Sequence, residues 1–345
     1  MLKELLKLQY LGLDGGLINF IAENFSTQER AFLFTGGALE LHFKYNAFSE
    51  EDLITFYDED NLKKANEYAE DLILKSKENN IQIVSYYDDA YPVNLKKIKQ
   101  CPLFIFVKGN LDILNTSKSV ACVGTRRASE TTLKLVGDVV KALVEEEIVI
   151  ISGLAKGIDA QSHKECLVYG GKTIAVLAHG LDTIYPKENT ALAETILENG
   201  GTLVSEYPIG TKGHKSHFVA RNRIISGLSE GVIVFEADEK SGTMHTARFA
   251  YTQGKKIFCP NVTGSDEKLS SGVEKLLNTE SAFPITTGSD VIDQLFINKT
   301  NSLNIKVNST TVKELEFISK NRGISIEELV DSIILNYIEG ERGNE

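Results

Sequence analysis

Six short apolar runs punctuate the middle of the chain, at residues 120–123, 148–151, 173–177, 202–204, 232–235 and 256–258. They are rich in Val and Ile, show little polar alternation, and are separated by stretches with helical spacing of apolar residues. A strand with one wet face alternates. A continuous apolar run is buried on both faces, as happens when crossover helices cover both sides of a parallel sheet. The expected fold is therefore α/β, a doubly wound and mostly parallel sheet. Such sheets hold ligands outside the carboxyl ends of their strands, so function is to be sought in the residues that follow each run.

The pattern changes on either side. Residues 1–78 read as a small helical domain whose helices start at capping-box pairs, Ser26 with Glu29 and Ser49 with Asp52. Residues 79–298 form the sheet domain, which opens with short apolar runs at 81–86 and 103–108. In the tail, 299–345, Leu303, Ile305 and Val307 alternate with Asn304, Lys306 and Asn308, the period of a strand. Helices are expected at 311–321 and 325–338, with Gly323 as the break and Ser325 and Glu328 as a capping box.

Six prolines and no Ser/Gly-rich tract leave no place for a long disordered linker. Lysines interrupt the apolar opening of the chain, unlike a signal peptide, and no stretch reaches the ~20 apolar residues of a membrane span. A soluble, cytoplasmic protein is expected. Cys101, Cys122, Cys166 and Cys259 lie far apart with no CxxC pair, which suits buried thiols in a reducing compartment and not a zinc site.

The chain carries 37 Lys+Arg against 48 Asp+Glu, a formal charge of −11, and the imbalance is uneven. Residues 1–80 hold 8 basic and 15 acidic side chains, and residues 301–345 hold 5 and 8, whereas 212–256 hold 8 basic and only 4 acidic. Such a chain is ill suited to coating nucleic acid indiscriminately, but it can hold a polyanion at one place.

The first run is followed by Gly124-Thr125-Arg126-Arg127-Ala128-Ser129, and the second leads into Ser152-Gly153-Leu154-Ala155-Lys156-Gly157-Ile158-Asp159. Glycine lets backbone amides come close to a ligand, and a helix N-terminus adds unpaired N–H donors and partial positive charge. Either loop could equally be a tight strand–helix turn. Neither matches GxGxxG or a Walker A loop, so no nicotinamide or ATP cofactor is expected. The fourth run leads to Glu206-Tyr207-Pro208-Ile209-Gly210 and then to His214-Lys215-Ser216-His217-Phe218-Val219-Ala220-Arg221-Asn222-Arg223. Cations that track phosphates beside a ring that stacks on a base are what single-stranded nucleic acid needs. Phe218, next to Val219, could equally belong to the core. No third ligand is spaced with His214 and His217, so no metal is expected.

Together with His163, the stretch from Leu181 to Pro186, Asn189, the run from Arg221 to Ser229, Glu236-Ala237, Ser241-Gly242-Thr243 and Tyr91-Pro92, these segments resemble the DprA/Smf family over about residues 81–295. That family is the DNA-processing protein A of natural transformation. The resemblance implies an extended Rossmann-like sheet that binds single-stranded DNA in competence and DNA recombination, as a homodimer or higher oligomer, behind a SAM- or helix-hairpin-helix-like N-terminal domain. It implies RecA, which such proteins load, and single-strand-binding protein, which they displace, as partners. By the family pattern Arg126, Lys156, Lys215, Phe218, Arg221 and Arg223 bind DNA, and Gly124 and Gly210 give close backbone approach. Arg126, Lys215, Arg221 and Arg223 are expected to converge on one anionic pocket.

Two features depart from that family. Cys259-Pro260-Asn261 stands where Pro-Gly is usual, and the tail resembles a ribbon-helix-helix unit, not a winged helix. A helical hairpin packed on the sheet is the alternative for the tail. These departures leave open a relative working in phage defence beside a partner toxin. A nucleotide hydrolase of the same broad superfamily is the other alternative. Related phosphoribohydrolases need Gly-Thr-x-x-Glu, whereas Gly242-Thr243-Met244-His245-Thr246 puts a threonine where the acid belongs. A hydroxyl cannot replace a carboxylate in activating water or stabilising an oxocarbenium-like charge. Asp159 and Glu236 are expected to cap loops or pair with arginine, and the chain is not expected to be an enzyme.

Overall fold

The computed structural model describes residues 1–261, 270–297, 309–322, 325, 326, 329, 330 and 332–334. Its contacts divide the chain into two units, Met1–Asn298 and Lys299–Glu345. The first opens with α1 (Leu2–Tyr10), α2 (Gly15–Asn24), α3 (Thr27–Phe32), α4 (Ala38–Tyr45), α5 (Glu50–Tyr57) and α6 (Glu59–Glu78). Both expected capping boxes form: Ser26 and Ser49 accept from the third helical amide, and Glu29 and Asp52 reach back to the cap amide.

The sheet then unfolds in sequence as β1 (Gln82–Ser85), α7 (Val93–Lys96), β2 (Phe104–Gly109), β3 (Ser119–Val123), α8 (Glu130–Glu145), β4 (Val149–Ser152), α9 (Ile158–Val168) and β5 (Thr173–Leu177). It continues with α10 (Thr190–Glu198), β6 (Thr202–Ser205), α11 (Lys215–Leu228), β7 (Gly231–Val234), α12 (Thr243–Thr252), β8 (Lys256–Pro260), α13 (Ser271–Asn278), β9 (Phe283–Ile285) and α14 (Gly288–Ile292). The strand order is β1-β2-β6-β5-β4-β3-β7-β8-β9. The seven strands from β6 to β9 are parallel, and β2 and β1 add an antiparallel edge. The six apolar runs are β3 to β8. The three-residue β9 holds Pro284 at the opposite edge and is too short to leave a periodic signal.

Burial explains the missing alternation. In β3, Ala121 and Val123 share a core with Ile224, Ile225 and Leu228 of α11, while Val120 and Cys122 face the other way into a core with Val136, Val139, Val140 and Leu143 of α8. At about 1.5–3 kcal/mol for each large aliphatic side chain, a polar residue on either face would be costly. A third core contains Leu5, Leu6 and Leu8 of α1 together with Phe104, Phe106, Leu177 and Leu203 of the sheet, so the N-terminal helices and the sheet share one interior.

From β3 the chain crosses through α8 to β4 on one side, and from β7 it crosses through α12 to β8 on the other. The carboxyl ends of β3 and β7 therefore diverge, which makes the crevice between them the switch point of the sheet. In the second unit, α15 (Ser309–Arg322) covers the first expected tail helix. The expected strand at 303–308, the break at Gly323 and the Glu328 half of the capping box lie outside the described residues. Among the described residues, no helix is long and apolar enough to cross a membrane.

Candidate functional site

A cavity of about 460 Å³ opens at the switch point. The loop after β3 lines it with Gly124, Thr125, Arg126 and Arg127, the loop after β7 with Glu236, Asp238, Ser241 and Gly242, α12 with Thr243 and Thr246, and α11 with Phe218, Arg221 and Asn222. The two loops are tied together. The Thr125 amide donates to the Glu236 carbonyl at 2.7 Å, and the Thr243 hydroxyl donates to the Gly124 carbonyl at 2.9 Å. The Glu236 carboxylate accepts from the amide and hydroxyl of Ser129 at 3.1 and 3.2 Å, just before α8. That is the capping role expected of Glu236.

Under the cavity floor the turn after β4 is locked in place. Gly157 has φ +75°, and a Cβ there would lie 2.3 Å from the Thr125 carbonyl oxygen. A Cβ at Gly153 would lie 2.7 Å from the guanidinium of Arg221. Arg221 is 5% exposed; its Nη1 donates to the Gly153 carbonyl at 2.8 Å and to the Val176 carbonyl, and its Nε donates to Asn222 Oδ1 at 3.1 Å. Burial pulls this guanidinium down to about 10, so it is still charged at neutral pH. Asp159 is buried too and accepts from the Gly153 amide at 3.2 Å. Burial pushes its carboxyl up, and the Arg221 charge opposes that shift. Asn189 Nδ2 holds the same turn by donating to the carbonyls of Leu154 at 2.8 Å and Ala155 at 3.3 Å.

His163, fully buried, bonds Thr173 Oγ1 through Nδ1 at 2.7 Å, and Thr173 donates to the Ile150 carbonyl. Since that hydroxyl proton is already used, Nδ1 is the donor to Thr173. Burial pulls the imidazole down to about 3, which makes it a neutral core group.

The four cations do not converge on one pocket. Arg126, exposed at the mouth, and Arg221, in the floor, line the cavity. Arg223 does not: two helical residues on, it points about 200° away. Its Nη2 pairs with Glu206, its Nε donates to the Gln100 carbonyl at 2.9 Å, and it lines a second cavity of about 540 Å³. Lys215, exposed at the first position of α11, lines neither cavity. Lys156 points outward into an exposed ion pair with Glu188 at 2.7 Å.

Each of the two glycines also has a local structural reason. A Cβ at Gly124 would meet Ile158 Cγ1 at 2.4 Å, so the close approach there is between loop and helix. Gly210 supplies φ +84° in a turn whose amide donates to Asp182 at 2.9 Å. Phe218 sits half-buried on the cavity wall with its ring 5.5 Å from that of Tyr185.

Sequence reasoning placed Thr125 and Arg127 in a candidate anion-binding loop without assigning them a role, and missed Asp238, Ser241, Thr243 and Thr246 as lining residues. Most of them follow the carboxyl ends of β3 and β7, which is the signal that could have found them; knowing that those two strands are neighbours was the missing step. The finished cavity offers exposed guanidiniums at its mouth, the Ser241 and Thr246 hydroxyls in its lining and an aromatic wall. It has the chemistry to bind phosphate next to a flat ring.

Comparison with known proteins gives a consistent result. The model of the DNA recombination-mediator protein A family matches residues 82–296. The chain is 46% identical over 209 residues to the DNA processing protein DprA of Streptococcus pneumoniae, which is 60% of this chain and 72% of that protein. It is 39% identical over 220 residues to the Bacillus subtilis protein of the same name, 64% of this chain and 73% of that one. The solved structure of DNA processing protein A from Streptococcus pneumoniae superposes with a TM-score of 0.66 at 34% identity, over 86% of this chain and 98% of that one. DNA processing protein A from Helicobacter pylori, described for its single-stranded DNA binding mode, superposes with a TM-score of 0.57 at 30% identity, over 63% of this chain and 97% of that one.

Proposed function

The chain belongs to the DNA recombination-mediator protein A family, and on that premise we propose that its switch-point cavity binds single-stranded DNA. The observation that carries this reading is the joint placement of exposed Arg126 and Arg127 with the ring of Phe218 around one cavity at the strand carboxyl ends. Cations at the mouth track phosphates while the ring takes a base, an arrangement that needs unpaired bases. Arg221 acts as a positioning residue that fixes the floor, and exposed Lys215 attracts the strand toward α11. The single-stranded DNA binding described for the Helicobacter pylori relative supports the same ligand.

In this reading the protein protects exposed or incoming single strands in the cytoplasm, displaces single-strand-binding protein and loads RecA during recombination and transformation. It acts by binding and not by catalysis. Two of the carboxylates at the cavity have structural work: Glu236 caps the approach to α8, and Asp159 is buried against the turn after β4. Residues 79–298 carry the ligand site behind the helical region 1–78. The tail, 299–345, serves self-association or partner contact. Removing it should change the sedimentation behaviour more than the DNA affinity; the reverse result would refute this role.

Titration of short oligo-dT over a range of salt tests the cavity. Arg126→Glu is expected to weaken binding and flatten the log–log salt slope by about 0.7 for each lost phosphate contact, and oligo-dT should bind more tightly than a duplex of equal length. Unchanged affinity and slope would overturn the assignment.

A further inference from the structure

The second cavity, on the far side of α11, has a charge that the chain as a whole does not. Its lining includes Lys97, Lys99, Arg223, Arg248 and His245, and among the described residues no carboxylate lines it. Arg223 is neutralised by Glu206, but Lys97, Lys99 and Arg248 are exposed cations in a chain of net charge −11. Three cations gathered in a groove without carboxylates, on a chain of net charge −11, mark a place where a polyanion is drawn in.

The same two helices build both cavities. On α12, Thr243 and Thr246 face the switch point, whereas His245, Arg248 and Phe249 face the groove; on α11, Arg221 and Arg223 divide in the same way. The two sites are thus separated by about one helix diameter, some 10–12 Å. Phe249 is half-buried in the groove and the amide side chains of Gln100 and Gln253 line it, so the cations stand beside an aromatic edge and hydrogen-bonding groups.

We propose that this groove, formed by residues 97–100 with α11 and α12, is a second contact site for the sugar–phosphate backbone of the same single strand, engaged only by strands long enough to leave the switch-point cavity and pass α11. The proposal rests on the reading of the first cavity given above. It makes the protein sensitive to strand length: a few nucleotides fill the cavity, and additional ones gain the cations of the groove.

The test compares oligo-dT of about 6 and about 30 nucleotides on the full chain, a span that brackets common single-strand site sizes. The Lys97→Glu, Lys99→Glu, Arg248→Glu triple variant should bind the short oligonucleotide as the wild type does. It should bind the long one more weakly, with a salt slope lower by about 2. A triple Gln variant, with a melting curve like that of the wild type, should show the same pattern in weaker form. Equal loss at both lengths, or none at either, overturns the groove. So does an unchanged length dependence with lost binding of a glutamate-rich peptide, which would assign the groove to an acidic protein. Arg126→Glu is read in parallel on the short oligonucleotide: if it has no effect there, the cavity reading fails on its own, independently of the length-dependent loss.

Discussion

The turn after β3 and the turn after β4 are built to the same recipe, glycine followed within a few residues by a basic side chain and a helix, yet they end in different roles. The first faces the crevice, with Arg126 and Arg127 exposed at its mouth. The second is tied down by its neighbours and meets the cavity only through Ala155 and Asp159: Asn189 holds two of its carbonyls, the Arg221 guanidinium lies against Gly153, and Gly157 abuts the backbone of the first turn. Its basic residue, Lys156, is turned out to Glu188. β3 borders the switch point and β4 does not, so the first turn lines the mouth of the cavity with its cations while the second reaches it only through Ala155 and Asp159.

The largest expected effect tests whether the second turn is structural. Arg221→Met leaves the Gly153 and Val176 carbonyls without their donor and Asp159 without the opposing charge, and should cost about 3–5 kcal/mol by urea unfolding. The deficit should depend on pH in a defined sense. Burial already raises Asp159 above its ordinary 3.8, and losing Arg221 raises it further. In the window above 3.8 the folded state then holds a proton that the unfolded state gives up, so stability falls as pH rises. The deficit is therefore greatest near neutrality and shrinks on acidification. A deficit of constant size across that range would break the account of Asp159.

Phe218 sharpens the other side of the comparison. Phe218→Ala should lose about 1–3 kcal/mol of oligo-dT affinity, measured by titration, if the ring stacks on a base. A folded variant with wild-type affinity would make Phe218 a packing partner of Tyr185 and nothing more. The smallest effect is expected at Lys156→Ala. An exposed ion pair contributes about 0–1 kcal/mol, so both the melting temperature and the affinity should stay close to wild type. A marked loss of DNA binding in this variant would erase the difference between the two turns.

Much of this was legible in the chain itself. Continuous Val/Ile runs specify strands buried on both faces, because the hydrophobic effect is local to each residue and strand periodicity is fixed at two. The capping boxes at Ser26 and Ser49 were equally readable, since a cap acts within four residues. Those runs, with the glycine turns after them, also pointed to the strand ends, and the family resemblance named Arg126, Phe218 and Arg221, which line the cavity there.

What only the tertiary structure decided was which strand ends are neighbours and which way each side chain looks. Arg221 and Arg223 are alike in sequence, but helical geometry sends them to opposite sides of α11, one into the floor of the cavity and the other to the groove beyond. Gly124 and Thr243 are far apart in the chain and meet because β3 and β7 pair. Gly124 lines the cavity and also leaves room for Ile158, a packing demand no local pattern shows. Local sequence sets conformation because its forces act over a few residues; which residues share a cavity is set by strand order, and that emerges only when every face of the sheet is buried at once.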